Sequence, residues 1–400
     1  MSLLQVEDAI AAILRRVPAP TVEVVPLAEA AGRVLLRPVI ATHDQPPFNS
    51  SAMDGYAMRA ADVVDEHRLA IVGTSQAGSG FTGTLQPGQA VRIFTGAPVP
   101  EGADTVIMQE EALSDGAFVS FTTTARPGHS VRALGNDFAR GQQLVDDGVC
   151  LAPMHLSVAA AANAATLHVA RRPRIALLAT GDELVVPGSE LGPDQIVASN
   201  SSGLRPLLAP YAESVIDHGI ARDNRDALRA KLRAVFDGEP DIVVTTGGAS
   251  VGDHDIVQEI LLDLGVTLDF WRINMRPGKP LMFGTRGKTL IFGLPGNPVS
   301  AMVTALVFIK PALRRWLGYA EPTTWRLPLA GPTPPNTARR HFMRAQLLHT
   351  PTGPELLPIS QTDSGHTSSL ARAEMLIIQP EHDPGQLPGT IVEAILVDAF

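Results

Sequence analysis

Three segments of this 400-residue chain place glycines, small polar side chains and acids side by side: ATGDEL at 179–184, VVTTGGASVGDHD at 243–255 and GLPGNPVS at 293–300. Each follows an apolar run with the look of a strand. Glycine lets backbone N–H groups come close to a phosphate, and a helix starting just beyond adds a favourable dipole, so each segment can cradle an anion. The candidates are Thr180, Gly181, Asp182 and Glu183; Gly247, Gly248, Ser250, Gly252 and Asp253; and Pro295, Gly296, Asn297, Pro298 and Ser300. A single aspartate here, such as Asp253 or Asp255, reads as an N-cap, and a single PGNP as a turn. Three such ends on one sheet make a site. Ionised Asp182, Glu183 or Asp253 beside a phosphate would repel it unless a hard divalent cation lay between, and Mg²⁺ is the usual oxygen-ligated choice. MRPGKP (275–280) adds Arg276 and Lys279, which either sit in solvent or neutralise an oxyanion.

The elements that must position these residues alternate. RIALLAT, ESVIDHGIA, DIVVTT, LDFWRIN and KTLIFGL read as strands; SSGLRPLLAPY, RDALRAKLRAVF, DIVQEILLDLG and NPVSAMVTALVFIKPAL read as helices. Uniformly apolar strands between helices predict a doubly wound, mostly parallel α/β domain. Its ligand belongs at the carboxyl ends of the strands. Before it, from about Val22 to Cys150, short strands with Pro and Gly punctuation predict an irregular β-rich region. After it, apolar segments about every 8 to 12 residues predict a small C-terminal β-barrel. LQVEDAIAAILRRV (4–17) is an amphipathic helix with an apolar face fit for a partner subunit. The uncharged run 151–170 reads as one buried helix, and RRPR (171–174) as a solvated linker. The resulting division is 1–45 with 138–173, then 46–137, 174–320 and 321–400.

Composition narrows the function. A chain this long organises two to four cores. Its net charge of −9 and pI near 5.7 exclude a nucleic-acid or anionic-membrane surface as partner. Cys150 is the only cysteine, so no internal disulfide or thiolate metal cluster forms, which fits a reducing compartment. Asp54-Gly55 in PPFNSSAMDGYAM reads by itself as a hairpin turn, and RIFTGAPVPEGADTVIMQEE, with Thr95-Gly96 and closing on Glu110 and Glu111, by itself as an ordinary loop.

Taken together and in this order, PPFNSSAMDGYAM, IFTGAPVPEGADTVIMQEE, ATGDEL, TTGGASVGDHD, MRPGKP and GLPGNPVSAMV closely resemble the bacterial molybdopterin molybdenumtransferases, relatives of the C-terminal domain of gephyrin. The resemblance covers nearly the whole chain. It implies a cytoplasmic enzyme that takes adenylylated molybdopterin and molybdate, uses Mg²⁺, releases AMP and leaves molybdenum on the dithiolene: the last step of molybdenum cofactor biosynthesis. It also implies an elongated four-domain homodimer whose active site joins the α/β domain of one subunit to the SAMDGYA domain of the other. The molybdopterin adenylyltransferase and recipient molybdoenzymes follow as further partners. By position, Asp54, Thr95, Arg132 and Asp137 match the family's N-terminal site residues, and Glu183, Asp223, Asp253, Arg276, Lys279, Pro295 and Pro298 those of the α/β side. Ser368 and Ser369 match the C-terminal part. Asp54, Glu183 and Asp253 are thereby implied as catalytic and metal-binding. Asn49, Ser50 and Asn136 stand where the family carries acid or amide, Arg276 where Lys is common, and Glu374 where Asn is frequent. Rival readings are a pterin-binding scaffold without catalysis and a nucleotide phosphohydrolase.

Overall fold

The computed structural model describes residues 3–64, 67–248, 256–319, 324–361 and 363–397. It divides into two compact units, one of residues 1–23, 32–36 and 169–400, the other of 24–31 and 37–168.

The first unit holds a six-stranded sheet in the order Ser214–Ala221, Arg174–Thr180, Ile242–Thr246, Thr289–Leu294, Met282–Arg286 and Thr267–Phe270. Its first four strands are parallel, Met282–Arg286 runs antiparallel to them, and Thr267–Phe270 runs antiparallel to Met282–Arg286. The period of two along each strand explains its two covered faces. Ile175, Leu177, Ile242 and Val244 belong to a core shared with Leu204 and Leu208 of helix Asn200–Leu208 and with the apolar residues of 299–317. Ala176, Leu178 and Val243 face the opposite way, onto helices Arg225–Asp237 and Ile256–Asp263. The doubly wound sheet is therefore a direct product of central strands buried on both faces. From Arg174–Thr180 the chain winds to the strand on one side, then crosses to Ile242–Thr246 on the other. The switch point lies between the ends of these two strands, where such folds bind ligands.

The apolar stretch after Asn297 is helical, but not uniformly so. Helix Pro298–Thr304 widens into a π segment, Ala305–Ile309, before helix Lys310–Leu317 resumes and ends at left-handed Gly318. Pro311 accounts for the widening, because its ring excludes the carbonyl four residues earlier and it has no N–H to donate. Helix Val6–Arg16 packs on Lys310–Leu317, with Val6, Ala9 and Ile13 buried in the same core. The apolar face expected to meet a partner subunit is thus used within its own chain.

The C-terminal sheet runs Met275–Arg276, Arg340–Thr350, Met375–Gln379, Ile391–Leu396 and Trp325–Pro328, with Gly353–Pro358 paired to the long second strand. A bridge from Leu329 to Leu356 draws its far end back toward that hairpin and curls it into a half-barrel. Met275–Arg276 comes from the α/β segment, so one short strand carries the MRPGKP turn into this sheet.

The second unit contains a six-stranded sheet in the order Thr105–Met108, Gly55–Met58, Gln89–Ile93, Leu69–Ser75, Phe118–Phe121 and Ala112–Ser114. Here two further expectations are corrected. The 151–170 run is not one buried helix: helix Pro153–Ala161 ends near Asn163, which adopts φ 64°, and Thr166–Ala170 is a strand. The β-branched residues Thr166 and Val169 favour that extended ending. Of the helix only Ala159 is buried, and His155 receives the Ala152 N–H at its N-terminus at 3.0 Å. Nor is Asp54-Gly55 a hairpin turn. Gly55 opens a central strand, where a Cβ would lie 1.9 Å from the Ile107 carbonyl oxygen.

The RRPR segment is docked, not solvated. Arg171 pairs with Asp241 through two nitrogens at 3.1 and 2.7 Å, and the Arg174 N–H donates to the same carboxylate at 2.8 Å. Asp241 thus fixes the entry to the first α/β strand.

Candidate active site

At the switch point three strand ends meet. Gly247 takes φ 88° and Gly248 φ 64°. A Cβ on Gly247 would fall 2.3 Å from the Thr180 carbonyl oxygen, and one on Gly248 2.1 Å from Val257 Cγ2. A Cβ on Gly296 would be 3.6 Å from Gly247 Cα. Side chains are thus excluded at Gly247 and Gly248, while Gly296 comes into ordinary contact with Gly247, which leaves main-chain groups to face a ligand. Asn200 ties the arrangement by donating to the Gly296 carbonyl at 2.8 Å.

The resulting cavity measures ≈ 400 Å³ and is lined by Thr180, Glu183, Asp223, Gly247, Gly248 and the 295–298 turn, among others. A second chamber of ≈ 340 Å³ contains Arg276, Lys279, Arg339, His341, Ser300 and Ser364. Pro280, Pro295 and Asn297 line both, so the two chambers adjoin. Asn297 also donates to Ser364 Oγ at 2.9 Å, linking the PGNP turn to the C-terminal segment.

The two chambers have opposite polarity. In the first, the Asp223 carboxyl is held above the ordinary carboxylate range by burial and by repulsion from Asp182 and Glu183. The Asp223 N–H donates to Asp182 Oδ1 at 3.2 Å, which keeps the acids together. In the second, burial lowers the Arg276 pKa, as does the neighbouring Arg339 cation. Arg276 Nε is buried without a hydrogen-bond partner among the described residues. Such an orphaned donor points to a ligand.

Clustered acids at one end suit a hard cation, although among the described residues no group of three or more His, Cys, Asp or Glu stands close enough to hold a metal ion. Mg²⁺ asks for less: it commonly takes one or two carboxylates and completes its shell with water and substrate phosphates. The mutual repulsion felt by Asp223 is the observation that fits it, since a cation there would relieve that repulsion.

The expected site residues therefore fall into groups. Glu183, Asp223, Gly247, Gly248, Arg276, Lys279, Pro295, Gly296, Asn297 and Pro298 line the adjoining chambers. Ser250 and Asp253 lie outside the described residues. Ser369 is fully buried and accepts from Arg344 Nη1 at 2.7 Å, whereas Ser368 is exposed on the same short helix, Thr367–Arg372. Arg339, His341, Arg344 and Ser364 were not singled out in the sequence, and the run ARRHFMRA offered only its density of cations as a signal.

In the second unit, Asp54 Oδ1 accepts from both the backbone N–H and the hydroxyl of Thr95, each at 2.7 Å. Arg132 pairs in register with Ser50, and Arg132 and Asp137 are exposed. Asn49 accepts the Leu134 N–H at 2.9 Å, so the amide found in place of an acid has a structural task in that loop. The Thr95 N–H and then its hydroxyl hold the Asp54 carboxyl below its ordinary pKa. A depressed carboxylate pKa contributes stability above the unfolded pKa that is lost as pH falls through the folded one. Thr95→Val keeps the N–H but removes the hydroxyl; NMR titration of Asp54 should show its pKa rising toward, without reaching, the ordinary value.

Fold and cleft define a multidomain α/β protein with an anion cradle at the switch point of its sheet. Residues 4–163 match the MoeA N-terminal region (domain I and II), residues 176–315 a probable molybdopterin binding domain, and residues 326–397 the MoeA C-terminal region (domain IV). A molybdopterin molybdenumtransferase of Nostoc sp. is 41% identical over 75% of this chain and 70% of its own. Molybdopterin molybdenumtransferase 2 of Mycobacterium tuberculosis is 36% identical over 89% of this chain and 90% of its own. The crystal structure of a molybdopterin biosynthesis MoeA protein from Pyrococcus horikosii superposes with a TM-score of 0.87 at 29% identity, covering all of both chains. The chain belongs to the MoeA family of molybdopterin molybdenumtransferases.

Proposed function

We propose that the two-chambered cleft is where this chain carries out its family's reaction, insertion of molybdenum from molybdate into adenylylated molybdopterin with release of AMP. The opposed polarity of the adjoining chambers carries the reading. The glycine-lined chamber suits the phosphate-bearing nucleotide-pterin, and the cationic chamber suits the oxoanion. Glu183 and Asp223, with Asp253, are the residues to hold Mg²⁺, which when bound neutralises charge on the anhydride phosphates. Glu183 orients and deprotonates the attacking water, while Arg276 and Lys279 fix the oxoanion against the pterin. Asp54, Thr95, Arg132 and Asp137 complete the cleft from a second protomer of a homodimer, which explains their retention in a different unit of the chain, and Ser368 and Ser369 border it. The four-part division of the chain given above is the frame of that dimer. A cytoplasmic setting agrees with the lone cysteine and with the lack, among the described residues, of any helix long and apolar enough to cross a membrane.

Titrating molybdate against purified protein, Mg²⁺ and adenylylated molybdopterin should make AMP release rise and saturate. Full-rate release without molybdate would identify a phosphohydrolase instead, and tight binding with no release under any condition a scaffold.

A further inference from the structure

The cationic chamber rests on one row of the C-terminal sheet, in which His341 has Arg276 beside it on one neighbouring strand and Gln379 on the other. His341 is 3% exposed and lines the chamber with Arg276, Lys279 and Arg339. Its ring has a determined orientation of protons. Gln379 Nε2 donates to the Pro334 carbonyl at 2.7 Å and to Asp383 Oδ1 at 3.2 Å, which turns the amide oxygen toward His341 Nδ1 at 3.3 Å. An amide oxygen only accepts, so Nδ1 carries the proton. The neutral ring then keeps a lone pair on Nε2, which has no hydrogen-bond partner among the described residues. Burial first, then the cations Arg276, Arg344 and Arg339, push the His341 pKa down to about 4, with only Gln379 opposing them. Among the described residues no carboxylate lines this chamber. A site that attracts anions therefore contains one acceptor that would repel a bare anion oxygen.

A proton between the two resolves that conflict. We propose that His341 is a specificity-determining residue that admits an oxoanion only together with one proton, shared between Nε2 and an anion oxygen, and so favours molybdate over sulfate. Sulfate has the same shape and charge, but its oxygens are far less basic and share a proton poorly. The inference rests on the reading of this chamber as the molybdate site and adds the rule by which it selects.

Calorimetric titration of the full-length protein with molybdate at pH 7, in buffers of differing ionisation enthalpy, should show uptake of about one proton per anion bound. Sulfate should bind at least about tenfold more weakly. His341→Gln offers an amide donor that needs no added proton; it should bind molybdate without proton uptake and bring sulfate to within about threefold of molybdate. Should that variant not fold, nitrogen NMR of histidine-labelled wild-type protein gives the same answer: the Nε2 signal should move to its protonated position with molybdate and stay put with sulfate. Binding without proton uptake, equal affinity for sulfate, or uptake retained by His341→Gln would overturn the proposal, and molybdate-dependent AMP release in the same preparation would leave the insertase reading standing. Failure of molybdate to bind this chamber at all would overturn the proposal together with the reading of the chamber as the molybdate site.

Discussion

Glu183→Gln should slow AMP release by about two orders of magnitude or more, the usual contribution of a positioned acid–base group, while leaving folding and pterin binding nearly intact. The substitution keeps size and hydrogen-bonding capacity and removes only charge and basicity. Glu183 is exposed at the cleft, and among the described residues its commitment to the fold is through its main-chain carbonyl, which receives the Ile196 N–H at 2.9 Å. Its carboxylate adds to the field felt by Asp223 and lines the glycine-rich chamber proposed above for the anhydride. Single-turnover AMP release measured with saturating molybdate would check this. Unchanged turnover would remove Glu183 from the chemistry.

Gly247→Ala is expected to be the most destabilising small substitution in the first unit, costing about 2–5 kcal/mol from the left-handed backbone and the steric overlap together. The added methyl would meet the Thr180 carbonyl oxygen at 2.3 Å, and neither backbone can retreat, because Ala179 and Thr246 are in register as neighbours in the parallel sheet. Gly219→Ala is the control. Gly219 has a comparable φ of 78°, but nothing lies within 4 Å of its would-be Cβ, so only the backbone strain of about 1–2 kcal/mol applies. Trp271, Trp316 and Trp325 are the chain's three tryptophans and all belong to this unit. Fluorescence-detected denaturation therefore reads both variants, and equal shifts would show that the close approach of the loops is not a constraint.

Much of this was legible in the chain because it is written locally. Strands such as Ile242–Thr246 open on an unbroken apolar run and are buried at every position, and glycine beside acid marks their ends. The C-terminal strands announce themselves by spacing, and their curl follows from pairing. What stayed hidden depends on register. His341 matters because it lies between Arg276 and Gln379, and no periodicity within ARRHFMRA expresses a pairing across that distance in sequence. Ser364 is drawn in by a hydrogen bond to Asn297, and Arg171 by a carboxylate seventy residues away. The Ala-rich run misled for the opposite reason: alanine satisfies a helix and a buried segment equally, so composition could not place the break at Asn163. Asp54-Gly55 resembled a turn because the same pair serves wherever backbone must pass close to backbone.

The most direct measurement is the ratio of molybdenum incorporated to AMP released in a single turnover, with adenylylated molybdopterin bound and molybdate and Mg²⁺ in excess. Coupled insertion predicts one molybdenum atom held by pterin for each AMP set free. AMP appearing in full while the pterin remains free of molybdenum would contradict the account.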